Sequence, residues 1–298
     1  MNALVRPENL MEPDEDIPQL PVISLLDVFG TYRCRPDVPN WMYHADRTCV
    51  SASGLKQILK SPAHYQAYLE LGSRETPAKF MGSALHTRLL EPEEFDETYV
   101  VIPDEATDRR TLEFRAFERA NPGKTMITEK QADILNGVYA SVSAHPTAAD
   151  LLRRGVVEHT ILYQDEETGI WLKIRPDCLC LDFNTGICLD LKSTDCAEKN
   201  AFRRSCERFD YDIQAALYLD VLRKVFERDF DWAFLAAEKE APFGVALYGA
   251  PEEMIACGRQ RYREALRTLK QCRETNEWPC YQPDGGYDIL EWPRRRRW

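Results

Sequence analysis

The chain has 298 residues, enough for a sizeable core in one large domain or two small ones. It is 44% hydrophobic and 29% charged, and 38 Lys and Arg against 49 Asp and Glu give a formal net charge of -11. That balance excludes a globally basic nucleic-acid binder, so any basic footprint has to be local. No apolar run of about 18 residues exists to cross a membrane.

Residues 1–42 hold six prolines up to position 40 and an acidic cluster at Glu12, Asp14, Glu15 and Asp16. They read as a loosely ordered arm in which LPVISLLDVF is the one segment able to dock. The folded domain is expected over 43–298, ending in the basic tail PRRRRW. Ser51 and Ser53 precede GLKQILK, a capped amphipathic helix that Ser61-Pro62 stops. AHYQAYLELG reads as a second helix closed by Gly72, KFMGSALHTRLL as a third, and TEKQADILNGVYASVSAH as a fourth behind a Thr cap. The period then changes to two. HTILYQ, GIWLKIRPDCLCLD and GICLDLKST are β-rich runs separated by DEETG and FNTG, and such short connections imply an antiparallel meander. A long helix across DYDIQAALYLDVLRKVF, strands at DWAFLAAEK and FGVALYGA, and a last long helix across EEMIACGRQRYREALRTLKQCRETN complete a mixed α+β pattern.

Chemistry concentrates in the meander. Alternation puts Asp190 and Lys192 on one face of a strand, and the FNTG turn brings Asp177 beside them from the neighbouring strand. Two carboxylates converging there can hold a hard divalent cation such as Mg²⁺ through oxygen. A lysine at the same edge can orient water or stabilise charge on a phosphate. A plain Asp190–Lys192 ion pair accounts for the same residues, although an acid inside the apolar CLDLKST needs some partner. Two further features bear on the choice. His86 lies four residues after Gly82 on a helix, where a glycine costs about 1 kcal/mol against alanine and calls for a reason such as close approach of another element. Gln214 and Tyr218 share one helical face and can reach a phosphate or a base.

Gly-x-x-x-His, RPD, Asp-x-Lys and Gln-x-x-x-Tyr, in that order, resemble the RecB-type branch of the PD-(D/E)XK nuclease superfamily. Within it the sequence is similar to the nuclease domain of RecE-type exonucleases of prophage recombination systems, from about Tyr43 to Trp278. The resemblance implies a central mixed sheet flanked by helices, with His86, Asp177, Asp190 and the Leu191 carbonyl as metal ligands. It implies Lys192 as the catalytic lysine and Gln214 with Tyr218 bordering DNA. Glu158 falls where relatives keep an acid, and is equally readable as a solvated strand entry. Mg²⁺, with Mn²⁺ as a substitute, is the implied cofactor. Linear double-stranded DNA degraded from a 5′ end is the implied substrate, a RecT-like single-strand annealing protein the implied partner, and a ring-shaped homotetramer the implied assembly.

Lys199, Arg203, Arg204 and Arg208 cluster after Lys192 and are expected to neutralise DNA phosphates. The ten cysteines lack Cys-x-x-Cys spacing, so packing thiols rather than an iron–sulfur cluster are expected. Without the basic-then-apolar order of a secretory signal, the expected setting is cytoplasmic. Two other readings stay open: a RecB-type nuclease of a CRISPR or helicase-linked pathway, and a non-catalytic DNA-binding protein on the same fold.

Overall fold

The computed structural model describes residues 24–26, 34–36, 38–72, 75–106, 108–182 and 184–290. The acidic cluster at 12–16 and the tail at 291–298, with Trp292, Trp298 and the four terminal arginines, lie outside the described residues.

Helices come first. Strand β1 (Cys34–Arg35) is followed by α1 (Asn40–Ala45), α2 (Ala52–Lys60) and α3 (Pro62–Leu71). Ser51 caps α2 by accepting the Gly54 N–H, and Ser61 ends that helix while capping the next through the His64 N–H. Then come α4 (Pro77–Leu90), α5 (Pro92–Thr98), β2 (Tyr99–Val101), α6 (Leu112–Ala120), β3 (Thr125–Ile127), α7 (Glu129–Ala144) and α8 (Pro146–Arg154). Thr128 and Gln131 form a reciprocal capping box at the start of α7. The expected boundary at residue 42 falls inside α1; Leu25, Val38 and Tyr43 are buried together with Leu162, and β1 pairs with the strand that carries Leu162.

The strands that follow are β4 (Val156–Val157), β5 (Thr160–Gln164), β6 (Trp171–Ile174), β7 (Cys178–Cys180) and β8 (Gly186–Thr194). Here the structure corrects the expected meander. The run GIWLKIRPDCLCLD is two strands in two sheets: β6 pairs with β5, whereas β7 pairs with β8. Pro176 has no N–H to give a ladder. Arg175 before it is bound through its guanidinium to Thr160 Oγ1 and the Val38 carbonyl. The chain therefore crosses from one sheet to the other at Arg175-Pro176-Asp177.

After β8, helices α9 (Lys199–Arg208) and α10 (Tyr211–Phe226) return the chain to β9 (Phe230–Glu238), which lies parallel to β8; β10 (Val245–Gly249) and α11 (Glu252–Thr275) complete the described elements. The central sheet has the order β10-β9-β8-β7-β4 and is mixed. Alternation along it separates two cores. Leu179, Cys188, Phe234 and Ala236 face α2, α10 and α11, while Cys178, Leu189, Leu191 and Leu235 face α4, α7 and α8. No helix among the described residues is long and apolar enough to cross a membrane.

Candidate active site

The same alternation decides where the acids point. Asp190 and Lys192 share the face of Cys188, and Asp177 shares that of Leu179, so all three lie on the α10 side of the sheet. Antiparallel pairing sets Cys178 opposite Leu189, and one step further along the register brings Asp177 opposite Asp190. Asp177 Oδ2 accepts the Leu191 N–H at 2.6 Å, which fixes the carboxylate against β8.

Asp190 is 1% exposed and Asp177 8%. Lys192 Nζ donates to Asp190 Oδ1 at 2.9 Å and to Gln214 Oε1 at 3.2 Å, and the Gln214 amide nitrogen donates to the same Asp190 oxygen at 2.8 Å. Asp190 Oδ2 lies 2.7 Å from the ammonium yet accepts no aligned hydrogen bond. Burial raises the Asp190 carboxyl above the usual range, with Lys192 opposing and Asp177 adding to the rise. Burial also works against the Lys192 charge, but Asp190 and Asp177 outweigh it and hold the ammonium above its ordinary value.

His86 comes from α4 on the opposite face and reaches the end of β8. Its Nε2 is 3.2 Å from the Leu191 carbonyl and its Nδ1 is 3.6 Å from Asp177 Oδ1. Ligand atoms of His86, Glu158 and Asp177 lie within 4.8 Å of one another. Glu158 is thereby drawn into the site, and Asp190 stands just outside this tightest group. The Glu158 backbone has φ 53, a left-handed conformation that a non-glycine residue adopts at a cost of about 1–3 kcal/mol and that clusters at functional sites. Burial, then the Asp177 charge, push its carboxyl up to about 8 despite Arg175 at 3.9 Å.

These residues fit a divalent cation. Three carboxylates, a main-chain carbonyl and one imidazole converge, one buried oxygen on Asp190 lacks a hydrogen bond, and two carboxyls are held in a state that positive charge would relieve.

The site opens into a cleft of about 670 Å³ lined by α1, α2, α4 and the sheet end. Gly82 lies on its wall, and a Cβ there would meet nothing within 4 Å. The expected close approach of another element is thus absent; the glycine borders open cleft instead. Gln214 lines the cleft with its amide committed to Asp190 and Lys192. Tyr218 also lines it but is 7% exposed, its hydroxyl between Tyr43 and the Arg175 backbone. Arg203, Arg204 and Arg208 are exposed on α9 and are not brought to the cleft; Arg203 pairs with Glu207 and Arg208 lies over the Phe209 ring. Sequence reasoning missed Trp41, Arg175 and Lys56. Arg175 was visible only as part of the RPD motif, and nothing in the sequence marked Trp41 or Lys56.

The fold and the site together define a PD-(D/E)XK nuclease domain. Residues 51–286 match the family described as "PDDEXK-like domain of unknown function (DUF3799)", and the chain belongs to that family. Among solved structures it is similar to a candidate exonuclease from Eubacterium rectale, with a TM-score of 0.57 and 14% identity over 87% of this chain and 96% of that one. At that identity the likeness concerns the fold. The structure of SSO0001 overlaps less well, with a TM-score of 0.28 and 13% identity over 63% of this chain and 86% of that one, and carries no argument. No curated protein matches the chain.

Proposed function

We propose that this protein is a metal-dependent exodeoxyribonuclease acting on linear double-stranded DNA. The observation that carries this reading is the convergence of His86, Glu158 and Asp177 beside the Asp190–Lys192 pair at the head of one cleft. His86, Glu158, Asp177, Asp190 and the Leu191 carbonyl would hold a divalent cation, with Mg²⁺ the expected ion and Mn²⁺ a substitute. The bound cation would supply positive charge for the phosphate oxygens and for lowering the pKa of water. Lys192 remains cationic between Asp190 and Gln214, so its N–H groups orient the attacking water and balance charge developing on the phosphate. Gln214 holds that lysine and Asp190 in one geometry. The water oxygen bonds to phosphorus as the P–O bond to the departing nucleotide breaks; the water gives up a proton, the departing oxygen gains one, and a shortened strand remains.

The exonucleolytic mode, the 5′ to 3′ polarity and a role in phage-type recombination are supported by the ordered resemblance to RecE-type nucleases. So are a RecT-like annealing partner and a ring-shaped homotetramer. A ring with a basic channel and an acidic exterior reconciles DNA binding with the net charge of -11.

The test uses linear duplex DNA labelled at one 5′ end, with Mg²⁺ or with EDTA, beside Lys192→Ala. Mononucleotide release that needs the metal and is lost in the variant is the expected result. Cleavage of closed circles would make the enzyme an endonuclease, and no cleavage of any DNA would overturn the nuclease reading.

A further inference from the structure

Four long cations line the cleft, and three are committed. Lys173 donates to the carbonyls of Tyr43 and Asp46 and to Asp46 Oδ2, which uses all three ammonium protons. Arg175 is bound by Thr160, Val38 and Asn40, with Glu158 at 3.9 Å. Lys192 is bound by Asp190 and Gln214.

Lys56 differs. Its ammonium donates one hydrogen bond, to the Phe209 carbonyl at 2.7 Å, and no carboxylate among the described residues forms an ion pair with it. It lies 5.6 Å from the centre of the Tyr211 ring, and Lys192 lies 4.8 Å from the same ring. Both ammonium groups thus border one aromatic ring, and the field of Lys192 reaches Lys56; Lys192 is paired with Asp190, whereas Lys56 has no ion-pair partner among the described residues.

We propose that Lys56 is a substrate-binding residue of this cleft, contacting a backbone phosphate of the DNA strand next to the one at which Lys192 acts. The inference rests on the nuclease reading, since that reading makes the anion a phosphodiester. Two N–H donors of Lys56 are uncommitted, and the third holds the side chain against Phe209, so little conformational freedom remains to be lost when an anion docks. Burial, then the field of Lys192, press the Lys56 ammonium down to about 8, and the opposing fields of Asp210, Asp190 and Asp212 do not offset them. An anionic oxygen beside it removes that penalty, as Asp190 does for Lys192.

The measurement is the salt dependence of binding of a fluorescein-labelled single-stranded oligonucleotide to the full chain in EDTA, followed by anisotropy. Lys56→Gln keeps a donor for the Phe209 carbonyl and loses the charge; Lys56→Arg keeps the charge. One phosphate contact contributes about 0.7 to the slope of log K against log salt for a single strand. The Lys56→Gln slope is expected to be shallower by about that amount, with affinity roughly tenfold lower, while Lys56→Arg keeps the wild-type slope. A merely structural role lowers affinity without changing the slope, so a wild-type slope in folded Lys56→Gln overturns the proposal. Wild-type protein supplies a second arm: bound oligonucleotide is expected to protect Lys56 from acetylation, mapped by mass spectrometry. Equal labelling with and without the strand overturns the proposal even where a variant does not fold. If wild type neither binds nor cuts DNA, the nuclease reading falls and takes this inference with it. If wild type cuts DNA and the Lys56→Gln slope is unchanged, only the role of Lys56 falls.

Discussion

Asp177 Oδ2 accepts the Leu191 N–H at 2.6 Å, so one oxygen of the carboxylate anchors it to β8 while the other faces His86. The two jobs can be separated. Asp177→Asn retains an acceptor for Leu191 but loses the charge, and is expected to fold with near-native stability and no measurable hydrolysis. Asp177→Ala leaves a buried N–H unpaired and should cost a further ~1–3 kcal/mol. Denaturant titration of both variants, beside the cleavage assay, distinguishes the roles.

Loss of Lys192 has a pH signature. Without it, burial and Asp177 hold the Asp190 carboxyl further above its unfolded value. The raised group favours the native state at low pH, and that contribution is lost as pH rises through the folded pKa. Lys192→Ala should therefore melt well below wild type at pH 8, with the gap narrowing toward pH 4. Hydrolysis should fall by about 10² to 10⁴. A gap that is constant across this range in calorimetry would show that Asp190 is not the residue responding.

Gln214 bridges Asp190 and Lys192 and so acts on the reaction through them. Gln214→Ala is expected to lower the single-turnover rate by roughly 10–100-fold while leaving oligonucleotide affinity in EDTA within about twofold. The opposite split, lost affinity with a normal rate, would assign Gln214 to direct DNA contact.

Metal binding should release protons. Glu158 is raised from 4.5 to about 8, so near pH 7 it is largely neutral without a cation. Its neutral form supports the fold fully below the unfolded value, and that support is lost as pH rises through about 8. EDTA-treated protein should thus be more stable at pH 6 than at pH 9, and a divalent cation should flatten the difference. Calorimetry in buffers of different ionisation enthalpy should report about one proton released per cation at pH 7, and fewer at pH 9.

Two helical glycines should respond in opposite directions. A Cβ on Gly258 of α11 would fall within the contact distance of the Asp212 carbonyl on α10, so Gly258→Ala should cost about 1–3 kcal/mol. Gly82 has nothing within 4 Å, and Gly82→Ala should stabilise the fold by up to about 1 kcal/mol. Any loss of cleavage in Gly82→Ala then reports that substrate uses the space beside it.

What the sequence determined by itself is local. Helix starts at Ser51 and Thr128 were legible because a hydroxyl satisfies N–H groups only two or three residues away. Asp190 and Lys192 could be placed on one face because alternation along a strand is a property of the backbone. The order of His86, Asp177, Asp190, Lys192 and Gln214 along the chain was enough to suggest the family. Tertiary structure decided what depends on distant partners. The break at Pro176 divides one β-rich run between two sheets, because the alternative pairings lie on β5 and β8, not within the run. Glu158 joins His86 and Asp177 only because β4 pairs with β7, and nothing in the flanking sequence encodes that neighbour. Lys56 meets the Phe209 carbonyl 153 positions away and the field of Lys192, whose own charge Asp190 pairs, and no local pattern carries that arrangement.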